Sequence, residues 1–202
     1  MARKKRTWLP HCYYHIVSRG NRRDPLFLNP QDFEAFFHIL TQLHQKYPFE
    51  IASYCLMTNH FHLLLRSLDP DCSISKIMSL VNKRYANYYN TRYRLTGHVF
   101  EKRFYDQLVE GNVGMLKVSR YIHLNPVAAN MVKKCEHYPW SSYSYYKYST
   151  MPKPDFMNTD LLLNYYAGTD RERRALYCLS VEEKGREINS AEKEEGIFFT
   201  VD

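Results

Sequence analysis

Between Phe49 and Arg66 two β-rich runs, FEIASYCLM (49–57) and HFHLLLR (60–66), are separated only by Thr58 and Asn59. A connection that short forces the chain back on itself, so the two runs must pair as an antiparallel hairpin. The flanking segments extend this start. Residues 11–18 (HCYYHIVS) read as a short strand of aromatic and β-branched residues, broken by Gly20, Asn21 and Asp24-Pro25. From Pro30 to Tyr47, Phe33, Phe36, Phe37, Leu40 and Leu43 recur at intervals of three and four, which predicts an amphipathic helix. Asn29 before Pro30 suits its cap, and Pro48 stops it. A second helix fits 73–90, with Ile74, Ile77, Met78, Leu80, Val81 and Tyr85 on its apolar side. A strand at 103–109 and a helix at about 113–125 follow, the helix ending because the residue before Pro126 avoids the α region.

The first six elements run β-α-β-β-α-β, the ferredoxin-like order. The expected class is α+β: a four-stranded antiparallel sheet with helices on one face. The last helix must pack elsewhere, with the sheet edge as the candidate place. After Pro139 the composition shifts, so the expected division is a domain over 1–139 and a C-terminal extension over 140–202. Within the extension, 140–156 reads as an irregular linker anchored by Trp140 and Tyr143, and 158–181 reads as helical. Residues 182–195 are charged and are assigned no structure.

The net charge of +7 is unevenly spread. Residues 1–159 hold 22 Lys+Arg against 11 Asp+Glu, whereas residues 160–202 hold 6 against 10. Two stretches are basic without a single acid: Arg3, Lys4, Lys5, Arg6, Arg19, Arg22 and Arg23 in 1–23, and Lys76, Lys83, Arg84, Arg92 and Arg94 in 72–100. One-sided charge of this kind suits a polyanion. Tyr85, Tyr88, Tyr89 and Tyr93 share the second stretch, and flat rings among cations suit unpaired bases. The competing reading makes those tyrosines core residues, and periodicity does not separate the two. No apolar run approaches the roughly 18–20 residues that cross a bilayer, and the N-terminus has too short an apolar stretch for a signal peptide. The expectation is a soluble cytoplasmic protein. Cys12, Cys55, Cys72, Cys135 and Cys178 form no Cys-x-x-Cys pair, so free thiols are expected rather than a disulfide framework or zinc knuckle.

MTNHFHLLL (57–65) carries the sharpest chemistry. Alternation along a strand puts His60 and His62 on one face and Phe61 on the other. Two imidazoles on one face can hold a divalent metal; hydrogen-bonded structural histidines are the competing reading. Leu63, Leu64 and Leu65 follow, so further donors must come from elsewhere. In SRYIHLNPV (119–127), Tyr121 and Asn125 are four apart and share a helix face. An amide oxygen suits a hard cation such as Mg²⁺ or Mn²⁺, and a phenol beside it can act as a nucleophile. Tyrosine at helical spacing also serves packing, and with 18 tyrosines composition does not choose the nucleophile. Lys117, four residues before Tyr121, shares its face and could steady a phosphate; neither it nor His123 is assigned as a base.

Four blocks in order, YYHIVSRGNRR (13–23), CLMTNHFHLLL (55–65), GHVFEKRFY (97–105) and SRYIHLNPVAA (119–129), resemble the HUH endonuclease superfamily. The resemblance is closest to its single-tyrosine, insertion-sequence-type transposases, and among these to the REP-associated ones. It implies metal ligands at His60, His62 and Asn125, a nucleophile at Tyr121, and Mg²⁺ or Mn²⁺ as cofactor. It further implies cleavage and rejoining of single-stranded hairpin DNA, such as REP-like palindromes, through a 5′-phosphotyrosine link. It favours a monomer, associated with the bacterial nucleoid. DNA contacts are expected from Arg3, Lys4, Lys5, Arg6, Arg19, Arg22, Arg23, Lys83, Arg84, Arg92, Arg94 and Lys117. Two alternatives stand beside this reading: a hairpin-binding regulator that does not cut, and a rolling-circle-type replication initiator.

Overall fold

The computed structural model describes residues 8–195, with side chains through residue 185. Four strands, β1 (Tyr14–Arg19), β2 (Phe49–Met57), β3 (His60–Ser67) and β4 (Tyr105–Leu108), form one antiparallel sheet in the order β2-β3-β1-β4. Met57 opposes His60 across the two-residue turn, as the spacing requires. The first strand thus lies inside the sheet, paired with both β3 and β4. The class and topology are those expected: α+β, ferredoxin-like.

Helices α1 (Pro30–Lys46) and α2 (Ile74–Tyr93) cover one face. Their buried residues meet Ile16, Phe61, Leu63 and Leu65 in a core rich in aromatic rings. Phe36 is fully buried there, with Phe61 at 4.7 Å and Tyr85 at 5.4 Å between ring centroids. The start of α1 is fastened by the buried Asp32. Its carboxylate accepts hydrogen bonds from the Leu28 and Asn29 amides and from the Tyr88 and Tyr93 hydroxyls of α2.

The opposite face is also covered, which corrects the one-sided expectation. Helix α3 (Gly111–Ala128) packs on that face, mainly over β2 at the sheet's edge and partly over β3. That explains the Leu63-Leu64-Leu65 run: Leu63 and Leu65 enter the first core and Leu64 the second. Helix α3 also continues through Pro126 instead of stopping at it. Proline removes one donor only, and here it falls in the final turn. The Ala129 amide bonds to the Asn125 carbonyl to close the end, and Pro126 and Val127 are buried.

The chain after Pro139 is more ordered than its composition suggests. The Leu56 and Ile51 amides of edge strand β2 donate to the Trp140 and Phe156 carbonyls, and the Tyr54 amide donates to Ser142 Oγ. Residues 140–158 therefore strap the open edge of the sheet, where unpaired strand amides would otherwise face outward. Trp140 stacks on Phe33 with centroids 4.2 Å apart. Short helices α4 (Tyr143–Lys147) and α5 (Asp160–Leu163) precede α6 (Asp170–Glu195), which lies against α3 through the buried Tyr177 and Val181. The backbone is helical through 182–195, where the sequence reading assigned none. Lysine, arginine and glutamate are good helix formers, so a charged run need not lack structure.

Candidate active site

Three histidines and one tyrosine meet where β1, β3 and α3 converge. Alternation puts His60 and His62 on the α3 side of β3, with Phe61 fully buried on the other side. The His60 and His62 rings lie 5.0 Å apart at 82°. Tyr121 approaches from α3, its ring 5.5 Å from His62, edge to face. The third histidine, His15, is on β1 two residues from Val17, the cross-strand partner of His62. Its Nε2 is 3.0 Å from His62 Nδ1, and its ring is 5.8 Å from Tyr121.

Burial sets the protonation of this group. Imidazolium loses its hydration when enclosed, so desolvation lowers His15 and His60 to about 4 and His62 well below its usual value. At neutral pH all three rings are neutral. Arg19, directly across the strand pair from His60, adds a positive charge that disfavours protonation of His60 and His62. Tyr121 is 42% exposed, open to a large substrate. Desolvation raises its phenol above the ordinary range, while a hydrogen bond with Asn125 and the Arg19 charge act in the opposite direction.

The fit of a metal can be judged from the donors. His62 Nε2 is buried and has no hydrogen-bond partner among the described residues. A neutral imidazole nitrogen left bare in this way is the lone pair a divalent cation uses. His60 Nδ1 bonds to Asn59 Oδ1 at 2.7 Å, which orients that ring and leaves its Nε2 for a ligand. Asn125 Nδ2 donates to the Tyr121 carbonyl, one helical turn back, leaving the amide oxygen as the free donor atom. Among the described residues no three His, Cys, Asp or Glu side chains cluster as an ion site. The donors these residues offer are two imidazoles and an amide oxygen, types that divalent cations accept.

The predicted basic residues fall into two groups. Arg19 ends β1 opposite His60, and Arg22 and Arg23 lie in the turn that follows. That turn is tied to the His60 hairpin: the Gly20 amide donates to the Asn59 carbonyl, Leu26 and Phe27 donate to the Thr58 carbonyl, and Asn59 Nδ2 donates to the Arg23 carbonyl. Any Cβ at Gly20 would sit 2.1 Å from the Asp24 carbonyl oxygen, so only glycine fits. Arg22 and Arg23 both hold left-handed backbone, φ 54° and 64°, at a cost of about 1 kcal/mol or more each, and both are exposed. The GHVFEKRFY block completes this corner: the Asn21 amide donates to the Val99 carbonyl and the Glu101 amide to the Arg19 carbonyl. Lys117 is exposed on α3. Lys83, Arg84, Arg92 and Arg94 instead lie on or just after α2, across the sheet. There Arg84 bonds to Gln42, and Arg92 pairs with Asp32 at 3.4 Å. Arg3, Lys4, Lys5 and Arg6 lie outside the described residues.

His123 is structural. It is fully buried in a line of hydrogen bonds running Ser53–Ser119–Tyr177–His123–Ser142. Ser142 Oγ already donates to the Tyr54 carbonyl, so it must accept from His123 Nε2–H, and His123 Nδ1 accepts from Tyr177. The residue that sequence reasoning missed is His15. Its signal was present, a histidine inside the β1 motif, but its partner is 47 residues away.

Comparison with known proteins bears on the family and the fold. A protein of Haemophilus influenzae named after the REP-associated tyrosine transposases is 24% identical over 109 residues, 49% of this chain and 61% of that protein. The REP-associated tyrosine transposase of Escherichia coli is 20% identical over 131 residues, 65% of this chain and 75% of that protein. The solved structure of a REP-associated tyrosine transposase bound to a REP hairpin superposes with a TM-score of 0.64 at 18% identity. It covers 84% of this chain and 93% of the other, and so supports the fold. The model of the IS200-like transposases matches residues 9–125, more than half of the chain and a span that takes in the three histidines, Tyr121 and Asn125. The chain belongs to the IS200-like transposase family.

Proposed function

We propose that this protein is a metal-dependent single-strand DNA endonuclease and strand transferase that acts on hairpin DNA through Tyr121. The observation that carries the reading is the half-exposed Tyr121 ring set against His62, whose buried Nε2 is bare. In this reading the Tyr121 oxygen attacks the scissile phosphorus, the bond to the 3′ oxygen breaks, and that oxygen takes up a proton while the phenol loses one. The product is a 5′-phosphotyrosine link and a free 3′-hydroxyl. Attack by another 3′-hydroxyl reverses the step and joins strands, with the bond energy conserved in the link. A divalent cation held by His60, His62 and Asn125 would withdraw charge from phosphorus during attack. Arg19 adds a fixed positive charge beside the phenol, favouring its ionised form.

Arg19, Arg22, Arg23 and Lys117 would guide the reacting strand, because they share the corner or helix that carries the site. The α2 group would grip a stem on the far face through its phosphates. Residues 1–139 would carry the chemistry, with 140–202 as the supporting extension. Attachment of α3 to α6 of the same chain through Tyr177 supports action as a monomer. No described helix is long and apolar enough to cross a membrane, and a hairpin-DNA substrate places the work in the bacterial cytoplasm, at the nucleoid.

The test is a denaturing gel of labelled single-stranded hairpin DNA with Mg²⁺ or Mn²⁺, comparing the intact protein with Tyr121→Phe. The expected result is a covalent protein–DNA band that requires both Tyr121 and metal. Hairpins shifted equally on a native gel by both proteins, with no cleavage by either, would establish the binding-only alternative.

A further inference from the structure

We propose that His15 is the positioning residue for His62: its Nε2 accepts the proton-bearing Nδ1 of His62 and so fixes the ring as the tautomer whose Nε2 is free to bind metal. This rests on the metal reading above and goes beyond it in naming a residue that touches neither metal nor phosphate.

Two arrangements of the 3.0 Å contact are possible. If His15 donated, the proton of neutral His62 would sit on Nε2, a buried N–H with no acceptor among the described residues. Leaving a buried donor unpaired forfeits its solvation with no return. If His62 donates from Nδ1, its buried Nε2 carries only a lone pair, on a ring whose centroid is 5.0 Å from that of His60 and 5.5 Å from that of Tyr121. Only the second arrangement leaves a nitrogen that can coordinate. His15 is well placed to enforce it. Both rings are on paired central strands, both are at least nine-tenths buried, and they lie nearly parallel at 19° with centroids 5.2 Å apart. His60 has its own orienting partner in Asn59 Oδ1, so each proposed histidine ligand is backed by a different neighbour. Partners behind a ligating imidazole set its tautomer and its aim, and their removal costs roughly 10–100-fold in metal affinity.

Two measurements on the full chain test this. Two-bond ¹H–¹⁵N correlation spectra of metal-free wild-type protein report which His62 nitrogen bears the proton; the expected result is Nδ1, and a proton on Nε2 overturns the proposal without any variant. Mn²⁺ affinity, read by electron paramagnetic resonance without DNA, is then compared among wild type, His15→Phe and His15→Gln, each first shown to be folded by thermal melting. His15→Phe keeps the ring volume but not the acceptor and should weaken Mn²⁺ binding roughly 10–100-fold. His15→Gln restores an acceptor oxygen and should recover most of that loss. Equal affinity in all three overturns the role of His15 and leaves the metal reading intact. A wild-type protein that binds no Mn²⁺ overturns both.

Discussion

The two faces of one sheet are stabilised by different physics. Beneath α1 and α2 the core is built of Phe27, Phe33, Phe36, Phe61 and Tyr85, and the polar fastening at Asp32 stands at the helix start. Beneath α3 the core is crossed by the Ser53–Ser119–Tyr177–His123–Ser142 line. Apolar contact rewards burial and tolerates a small rotation of a helix; a hydrogen bond weakens steeply when its angle changes. Helix α3 carries Tyr121, so its rotation about its own axis decides where the phenol points. Ser119 and His123, one turn apart, hold that rotation from inside, while Tyr121 and Asn125 occupy another side of the helix. Both faces bury apolar side chains, and the α3 face adds a directional hydrogen-bonded line that fixes the orientation of its helix.

The largest expected effect belongs to the apolar face. Phe36→Ala should destabilise the fold by about 3–5 kcal/mol in urea denaturation, with nicking per folded molecule unchanged. A specific loss of nicking in the folded fraction would show that both faces orient the site. Next comes Tyr177→Phe, which removes one hydroxyl and strands Ser119 and His123 Nδ1. It should cost about 1–3 kcal/mol and, unlike Phe36→Ala, slow formation of the covalent complex in the folded fraction. The smallest effect is a slope with pH. Desolvation lowers His123 to about 3 in the folded protein, from about 6.5 when unfolded. The unfolded chain therefore binds the proton first, and stability present above pH 6.5 is lost as pH falls toward 3. Between pH 6 and 5 each such histidine adds about 1.4 kcal/mol per pH unit, and Glu50 and Glu136, both lowered in the fold, add to the slope only as pH falls further toward the ordinary carboxylate range. His123→Gln should remove one share of that slope; an unchanged slope would mean that His123 is charged in the fold.

These contrasts explain what could be read along the chain. His60 and His62 were legible because strand alternation is local, and Tyr121 with Asn125 because helical periodicity is local. His15 was not, since aromatic residues fill both sides of HCYYHIVS and its pairing with β3 depends on register between distant segments. The strap at 140–158 was hidden for another reason. It is held by backbone amides and carbonyls of β2, which leave no mark on side-chain composition. Helix α3 was expected to stop at Pro126, a local rule that packing of the final turn overrode.

Strand β1 comes first in the chain and yet lies inside the sheet, bonded to His60–Leu65 on one side and Tyr105–Leu108 on the other. A nascent chain leaving the ribosome therefore exposes its first strand long before either neighbour exists. His15 waits for His62, both wait for Tyr121, and α3 is not pinned until Tyr177 has emerged. Under the proposed chemistry, a half-made polypeptide has no assembled means of cutting the DNA around it, and reactivity arrives only with the finished fold.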